Sequence, residues 1–260
     1  MPVRFCAFLS MLFLPSLVRA DVIIKTIDYE HQGVTLSGTL VYDDKLEGKC
    51  PGVLVVHDWM GHGPFGLERA KELATLGYVA FAVDMYGKGI YCKDAQEAAG
   101  RAGKLKADRS LMRSRIQAGL RVLKEQPQVD TTKTGAIGFC FGGTTALELA
   151  RSGADVRGVV SFHGGLETFM PATPGKVTGK ILALHGADDP FVPPSEVAAF
   201  EMEMKAAKCN WELVSYGNAV HSFTNKAAGT DNSKGAAYNE QANQRSMLAM
   251  KNFFREVFGR

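Results

Sequence analysis

A cysteine between two closely spaced glycines is the side chain of this sequence best suited to nucleophilic chemistry. It stands in Gly138-Phe139-Cys140-Phe141-Gly142, after a short apolar run and before a helical pattern of alanines and leucines. A strand that turns into a helix through Gly-X-nucleophile-X-Gly holds the nucleophile at a strained backbone position. The two glycines are needed because a Cβ at either would collide across the tight turn. The N–H groups and the dipole at the start of the helix favour a thiolate there.

Two later loops supply the partners that a catalytic cysteine needs. Asp188 and Asp189 follow an apolar strand predicted at 180–185, and His221 follows a strand predicted at 211–216. In a catalytic triad the base activates the nucleophile and the acid orients the base. The cysteine motif alone also fits a glycine-rich turn around a buried structural cysteine. The chain order nucleophile, acid, histidine at equivalent strand ends favours catalysis over three unrelated loop residues.

Alternating apolar strands place these loops at one edge of a sheet. Two alternating stretches, 22–29 and 34–42, predict an antiparallel hairpin at the edge of the sheet. A continuous apolar run such as 52–57 is typical of a strand buried on both faces of a parallel sheet. Strands that alternate with helices indicate an α/β fold with a doubly wound, mainly parallel sheet. Ligands bind such sheets at the carboxyl ends of the strands.

Helical periodicity completes the predicted architecture. One helix is predicted at about 110–124, after a polar stretch that ends at Asp108. Another carries Val197, Phe200 and Met204 on one face. The last helix is predicted at about 236–258. Each of these helices has the spacing of apolar residues that covers one face of a sheet.

The segments GFCFGG, GADDPFVP and HSF together resemble the dienelactone hydrolase family of α/β-hydrolases, and the resemblance extends from HDWMG to the final helix. It implies an α/β-hydrolase fold with a single domain over residues 21–260. It also implies a hydrolase of carboxylic ester or lactone bonds that works through an acyl-cysteine intermediate. Cys140 is then the nucleophile, His221 the base and Asp189, rather than Asp188, the acid.

An oxyanion hole is expected from two backbone N–H groups. One belongs to Phe141, just after the nucleophile, and the other to Trp59, in the loop after the strand at 52–57. The resemblance further implies an acidic side chain, here Asp58, that pairs with the resting thiol until substrate displaces it. The family residue is typically glutamate. The shorter aspartate leaves a second interpretation open, in which Asp58 only caps the following turn.

The substrate-binding residues depart from the family pattern. Members that cleave dienelactone hold the substrate carboxylate with two arginines, and this chain has Lys88 and Asn225 at those places. Tyr86, in the same loop as Lys88, is expected to contact substrate. Because an ammonium does not reproduce a bidentate arginine clamp, the natural substrate stays open. Other side chains on loops at these strand ends are candidates for the pocket lining: Trp59, His62, Phe65 and His163.

Two other classes of function remain open from the sequence. An acyltransferase or a thioesterase would use the same acyl-cysteine, and a non-catalytic scaffold would bind a small acid. Competition between water and an added alcohol or amine distinguishes an acyltransferase from a hydrolase. Reaction with an activated aryl ester distinguishes an enzyme from a scaffold.

The first 20 residues have the pattern of a secretory signal peptide. Arg4 precedes an apolar run over 5–17, and the small residues Val18 and Ala20 occupy the −3 and −1 positions of a cleavage site. The apolar run is too short to span a bilayer. We therefore expect cleavage after Ala20 and export to the periplasm or the medium.

Composition and charge limit the partners. The chain has 260 residues, of which 46% are hydrophobic and 22% charged, which suffices for one domain with a full core. Its formal charge of +3 falls to +1 without the two arginines of the signal peptide, so it gives no reason to expect nucleic acid or a membrane surface. We expect a monomer with a small-molecule ester or lactone as substrate and no cofactor. No cysteine or histidine cluster has metal-ligand spacing, so no metal is expected.

Overall fold

Eight strands of residues 21–259, the part of the protein that the computed structural model describes, form one sheet. They are β1 (Val22–His31), β2 (Val34–Asp43), β3 (Cys50–Val56), β4 (Val79–Val83), β5 (Val129–Phe139), β6 (Gly158–Phe162), β7 (Lys180–Gly186) and β8 (Trp211–Tyr216). Their spatial order is β1-β2-β4-β3-β5-β6-β7-β8. Strand β2 pairs antiparallel with β1 and with β4, and the other neighbours pair in parallel. The predicted mainly parallel sheet and its antiparallel edge hairpin are confirmed. The predicted signal peptide, residues 1–20, lies outside the described residues.

Helices cover both faces of this sheet, in the layered arrangement of a doubly wound fold. Those in the described residues are α1 (Pro64–Thr75), α2 (Ala95–Ala107), α3 (Arg109–Lys124), α4 (Phe141–Arg151), α5 (Pro194–Ala206) and α6 (Glu240–Phe258). Leu54 and Val56 of β3 pack in the same core cluster as α2 to α5, whereas Val53 and Val55 pack in the cluster of α1 and α6. All four side chains are fully buried, which explains the unbroken apolar run of this strand.

Helix α2 is absent from the sequence-based prediction, which assigned no helix to the polar stretch before Asp108. The helix begins at the N-cap Asp94, whose carboxylate accepts a hydrogen bond from an N–H in the first turn. It buries only Ala98, Ala102 and Leu105, so its apolar face is small. Such a short alanine-rich face gives too weak a periodic signal to be recognised.

The start of the final helix is also corrected. Helix α6 begins at Glu240, with the side chain of Asn239 as its N-cap, rather than at about residue 236. Two short 3-10 helices, Lys226–Ala228 and Asn232–Lys234, fill the segment between β8 and α6. This segment is therefore folded beside the carboxyl end of the sheet and does not extend helix α6.

The described cysteines are all free thiols: Cys50, Cys92, Cys140 and Cys209. Within residues 21–259 no helix is both long and apolar enough to cross a membrane. The same residues contain no group of three or more histidine, cysteine, aspartate or glutamate side chains placed to hold a metal ion.

Candidate active site

Cys140 lies at the sharp turn between β5 and α4, with a positive φ of 56°. A Cβ added at Gly138 would lie 1.9 Å from the carbonyl oxygen of Gly142. A Cβ at Gly142 would lie 2.3 Å from the carbonyl oxygen of Val56 on the neighbouring strand. Both approaches are far inside van der Waals contact, so the turn can form only with glycine at these two positions. The expected reason for the Gly-X-Cys-X-Gly spacing holds in the structure.

Asp189 and His221 form the next link of the site. Nδ1 of His221 lies 2.8 Å from Oδ2 of Asp189, whose other oxygen accepts a hydrogen bond from the N–H of Phe191. Asp189 follows β7 and is buried, whereas its neighbour Asp188 is exposed. His221 and Cys140 line the same cavity, and the charge of the Cys140 sulfur acts on the imidazole. The imidazole of His221 is therefore hydrogen-bonded to Asp189 and lies at the cavity that contains the sulfur of Cys140.

The charges of Asp189 and Cys140 favour the protonated form of His221. Burial by itself would lower the pKa of the imidazole, because a buried charge loses its hydration. The charge of the Cys140 sulfur and the hydrogen bond to Asp189 outweigh burial and raise the pKa of His221 to about 10. The site thus stabilises the imidazolium form of His221.

The two expected oxyanion donors are free to bind a substrate oxygen. Within residues 21–259, neither the N–H of Phe141 nor that of Trp59 donates a hydrogen bond to another protein group. Trp59 and Cys140 line the same cavity of about 660 Å³. The carbonyl oxygen of Trp59 accepts a hydrogen bond from the hydroxyl of Tyr86 at 2.9 Å. Trp59 therefore lies at the cavity with its carbonyl group held by Tyr86, and its part in an oxyanion hole stays a prediction.

Asp58 lines the cavity that contains Cys140, and its carboxylate caps the turn that follows it. Oδ1 of Asp58 accepts a hydrogen bond from the N–H of Met60 at 2.9 Å, as the second interpretation of this residue expects. Burial raises the pKa of the Asp58 carboxyl. The pairing of Asp58 with the Cys140 thiol stays a prediction, since the structure records its carboxylate on Met60.

The geometry does not support the expected contacts of Lys88 and Tyr86 with substrate. The ammonium of Lys88 lies 2.5 Å from the carboxylate of Asp28, on the exposed outer side of the edge hairpin, and Lys88 does not line the cavity. Tyr86 is buried under the loop that carries Trp59, and it does not line the cavity either. Asn225 does line the cavity, although its side-chain oxygen already accepts a hydrogen bond from Ala227.

Of the other candidates for the pocket lining, His163 and His62 do not line the cavity of Cys140, and Phe65 lines a neighbouring cavity. His163 is fully buried behind the nucleophile, where its Nδ1 accepts a hydrogen bond from the N–H of Cys140. His62 lies against Thr39 of the edge hairpin, away from the cavity. Phe65 lines a second cavity of about 710 Å³, which shares Asp58 and Asn225 with the first.

Two lysines that the sequence did not single out line the cavity of Cys140. Lys106 comes from the last turn of α2, and Lys234 from the 3-10 helix Asn232–Lys234. Neither belongs to a motif, and each lies on an element that the sequence-based prediction lacked. The two lysines could have been predicted only if α2 and the folded segment before α6 had been recognised in the sequence.

The turn with Cys140 follows the central strand β5, Asp189 follows β7 and His221 follows β8. This arrangement, on a sheet of this strand order, defines an α/β-hydrolase. The protein belongs to the dienelactone hydrolase family, whose sequence profile matches residues 36–258. This assignment confirms the resemblance seen in the sequence motifs.

Individual proteins show the same relationship. A crystal structure of a dienelactone hydrolase-like promiscuous phosphotriesterase from metagenomic libraries is 39% identical, superposes with a TM-score of 0.86, and covers 92% of this chain and 100% of its own. A protein of Bradyrhizobium sp. named "Probable 2-oxo-3-(5-oxofuran-2-ylidene)propanoate lactonase" is 29% identical over 193 residues, which are 68% of this chain and 75% of that protein. The dienelactone hydrolase of Anabaena variabilis shares the fold, with 21% identity, a TM-score of 0.65, and coverage of 91% of this chain and 98% of that one.

Proposed function

We propose that this protein hydrolyses carboxylic esters or lactones through an acyl intermediate on Cys140. The observation that carries the proposal is the imidazole of His221, which is hydrogen-bonded to Asp189 and lines the same cavity as Cys140. The N–H groups of Phe141 and Trp59, which donate to no protein group in the described residues, supply the electrostatic part of the proposed machinery. The lactonase named among its relatives supports this class of substrate.

The first half of the reaction acylates the cysteine. The sulfur attacks the substrate carbonyl carbon while the proton resides on His221, and the carbonyl oxygen becomes an oxyanion. The N–H groups of Phe141 and Trp59 stabilise that oxyanion, and the loss of one such donor typically costs about 3–4 kcal/mol of barrier. When the carbon–oxygen bond breaks, the imidazolium returns the proton to the leaving oxygen. A thioester on Cys140 and a free alcohol, or the opened ring of a lactone, result.

The second half regenerates the free enzyme. Once the sulfur is acylated it carries no charge, so His221 loses the largest of the contributions that raise its pKa. Burial then favours the neutral imidazole. A neutral His221 can take a proton from water, which attacks the thioester and releases the acid and the thiolate. The change of charge on the sulfur therefore switches the histidine from acid to base.

A panel of aryl esters and lactones tests the proposal. We expect the wild-type protein to hydrolyse activated esters, and we expect Cys140→Ala to lose turnover while its circular dichroism stays unchanged. Cys209→Ala is the matched control, because Cys209 is a half-buried thiol just before β8 and does not line the cavity. Full activity of Cys140→Ala, or no reaction of the wild type with any member of the panel, contradicts the proposal.

The same assay distinguishes hydrolysis from acyl transfer. With added alcohol or amine, a hydrolase still forms mainly the free acid, because water reaches the thioester in an open cavity. An acyltransferase forms mainly the new ester or amide. We expect the free acid as the main product.

We also propose that the protein is exported, on the pattern of residues 1–20. The mature chain purified from its host should then begin at Asp21. N-terminal sequencing that finds Met1 on the functional protein contradicts export.

A further inference from the structure

His57, the residue after β3, is a buried imidazole with both ring nitrogens engaged. Its Nδ1 lies 2.5 Å from the carbonyl oxygen of Asp58, and its Nε2 lies 3.2 Å from the backbone N–H of Met85. Because a backbone N–H can only donate, Nε2 must be the acceptor of that bond. The ring proton therefore sits on Nδ1 and is donated to the carbonyl of Asp58. Burial lowers the pKa of His57 to about 4, which keeps the ring neutral in this tautomer.

The hydrogen bond to Asp58 fixes more than a carbonyl group. The carbonyl of Asp58 and the N–H of Trp59 belong to one planar trans peptide and point in opposite directions. This carbonyl accepts from Nδ1 of His57 at 2.5 Å and from the N–H of Gly61 at the longer distance of 3.5 Å. Holding the carbonyl toward His57 therefore aims the N–H of Trp59 away from His57. The next peptide is held as well, because the carbonyl of Trp59 accepts from the hydroxyl of Tyr86 and from the thiol of Cys92.

The same imidazole contacts the residue that carries the other donor. The ring of His57 stacks on the ring of Phe141, with 5.7 Å between centroids and 23° between planes. The N–H of Phe141 is the expected first donor of the oxyanion hole. One buried ring thus lies against both backbone segments that supply the donors.

We propose that His57 is a positioning residue that sets the direction of the Trp59 N–H through the Asp58–Trp59 peptide. Donors of an oxyanion hole lower the barrier because they are oriented before the reaction begins. The unpaired N–H of Trp59 has no partner of its own to hold it, so its direction depends on the opposite end of the peptide. This inference rests on the proposed ester or lactone hydrolysis.

Two amide substitutions separate this role from a general contribution to folding. His57→Asn places an N–H near the position of Nδ1, so it can still donate to Asp58, but it loses the acceptor for Met85. His57→Gln places its amide near the position of Nε2, so it keeps Met85 and loses the donor to Asp58. Each variant therefore loses one hydrogen bond and keeps the same functional group.

The expected kinetics differ between the two variants. We expect His57→Gln to lower kcat about 10- to 100-fold with little change in KM, because the donor acts on the transition state. We expect His57→Asn to stay within about fivefold of wild type. Equal losses in both variants, or a larger loss in His57→Asn, would mean that His57 supports the fold and would overturn the proposal.

Alkylation of Cys140 by iodoacetamide provides a second readout. The sulfur displaces iodide from carbon, and no oxyanion forms, so this reaction does not use the oxyanion hole. We expect alkylation at the wild-type rate in His57→Gln despite its low kcat. If alkylation slows in parallel with kcat, His57 acts on the nucleophile and the proposal is wrong. Loss of activity in the wild-type assay, or its retention in Cys140→Ala, would instead overturn the proposed function.

The wild-type protein allows a test that does not depend on the folding of a variant. Nitrogen-15 NMR of labelled histidine distinguishes the two neutral tautomers and the charged ring. We expect His57 to carry its proton on Nδ1 at pH 7. A proton on Nε2 alone would remove the hydrogen bond to Asp58, and a charged ring would set a second donor against the N–H of Met85. Either result would overturn the proposal.

Discussion

The backbone N–H of Cys140 donates both to Nδ1 of His163, at 3.1 Å, and to the carbonyl oxygen of Phe162, at 3.0 Å. Because Nδ1 is the acceptor, the ring proton sits on Nε2, which lies 2.8 Å from Oγ1 of Thr224 and donates to it. Burial, and then the charge of His221, keep the pKa of His163 well below its usual range. A neutral ring therefore connects the turn at Cys140 to the loop that carries His221.

Replacement of His163 tests this connection. We expect His163→Leu to slow both ester hydrolysis and iodoacetamide alkylation about tenfold, because both need the nucleophile in place. Stability should fall by about 1–3 kcal/mol, since Thr224 loses a buried partner. His163→Asn keeps an acceptor near Nδ1 and tolerates the positive φ of 41° at this position, so it should retain most alkylation. An unchanged alkylation rate in His163→Leu contradicts the connection.

The raised pKa of His221 predicts a wide range of activity in alkaline solution. The imidazolium must protonate the leaving oxygen, so acylation should continue until the pH approaches about 10, where the folded protein loses this proton. Asp189 is one of the groups that raise this pKa. In Asp189→Asn the pKa falls, and the alkaline limb of kcat/KM should move to lower pH. A limb that stays in place in Asp189→Asn, or one that begins near pH 7 in the wild type, contradicts this assignment.

The cavity lysines predict a preference for anionic substrates. Lys106 and Lys234 line the cavity with Cys140, whereas Lys88 is paired with Asp28 outside it. A charge-assisted contact is worth about 1.5–3 kcal/mol, so an ester with a free carboxylate should exceed its neutral analogue about 10- to 100-fold in kcat/KM.

Substitution of the lysines measures that preference. The double variant Lys106→Met/Lys234→Met should lose it and retain hydrolysis of neutral esters, and Lys88→Met should behave as wild type. Loss of the preference in Lys88→Met alone would restore the carboxylate role that the sequence implied for Lys88. Equal kcat/KM for the charged and neutral esters in the wild type would show that none of the three lysines selects substrate.

The sequence predicts the catalytic centre better than its surroundings. The elbow is predictable because the clash of a Cβ at Gly138 with Gly142 is local, within five residues of chain. Asp189 and His221 are predictable because parallel strands bring their carboxyl ends to one edge whatever the details of packing.

The substrate end of the site depends on contacts between distant segments. Lys88 pairs with Asp28, 60 residues away, and no local pattern indicates that partner. Lys106 reaches the cavity through a helix whose apolar face is mostly alanine. His57 and His163 act through backbone groups, and hydrogen bonds to the backbone leave no trace in a side-chain motif. Their roles become visible only with the distances in hand.

Mass spectrometry of the protein quenched during turnover of an activated aryl ester tests the central claim most directly. Trypsin releases residues 134–151 as one peptide, because Lys133 and Arg151 flank it and no other lysine or arginine lies between. We expect the mass of the acyl group on this peptide, at Cys140, and its removal by neutral hydroxylamine, which cleaves thioesters. An acyl group on another residue, or steady turnover with no acyl group on Cys140, would contradict an acyl-cysteine mechanism.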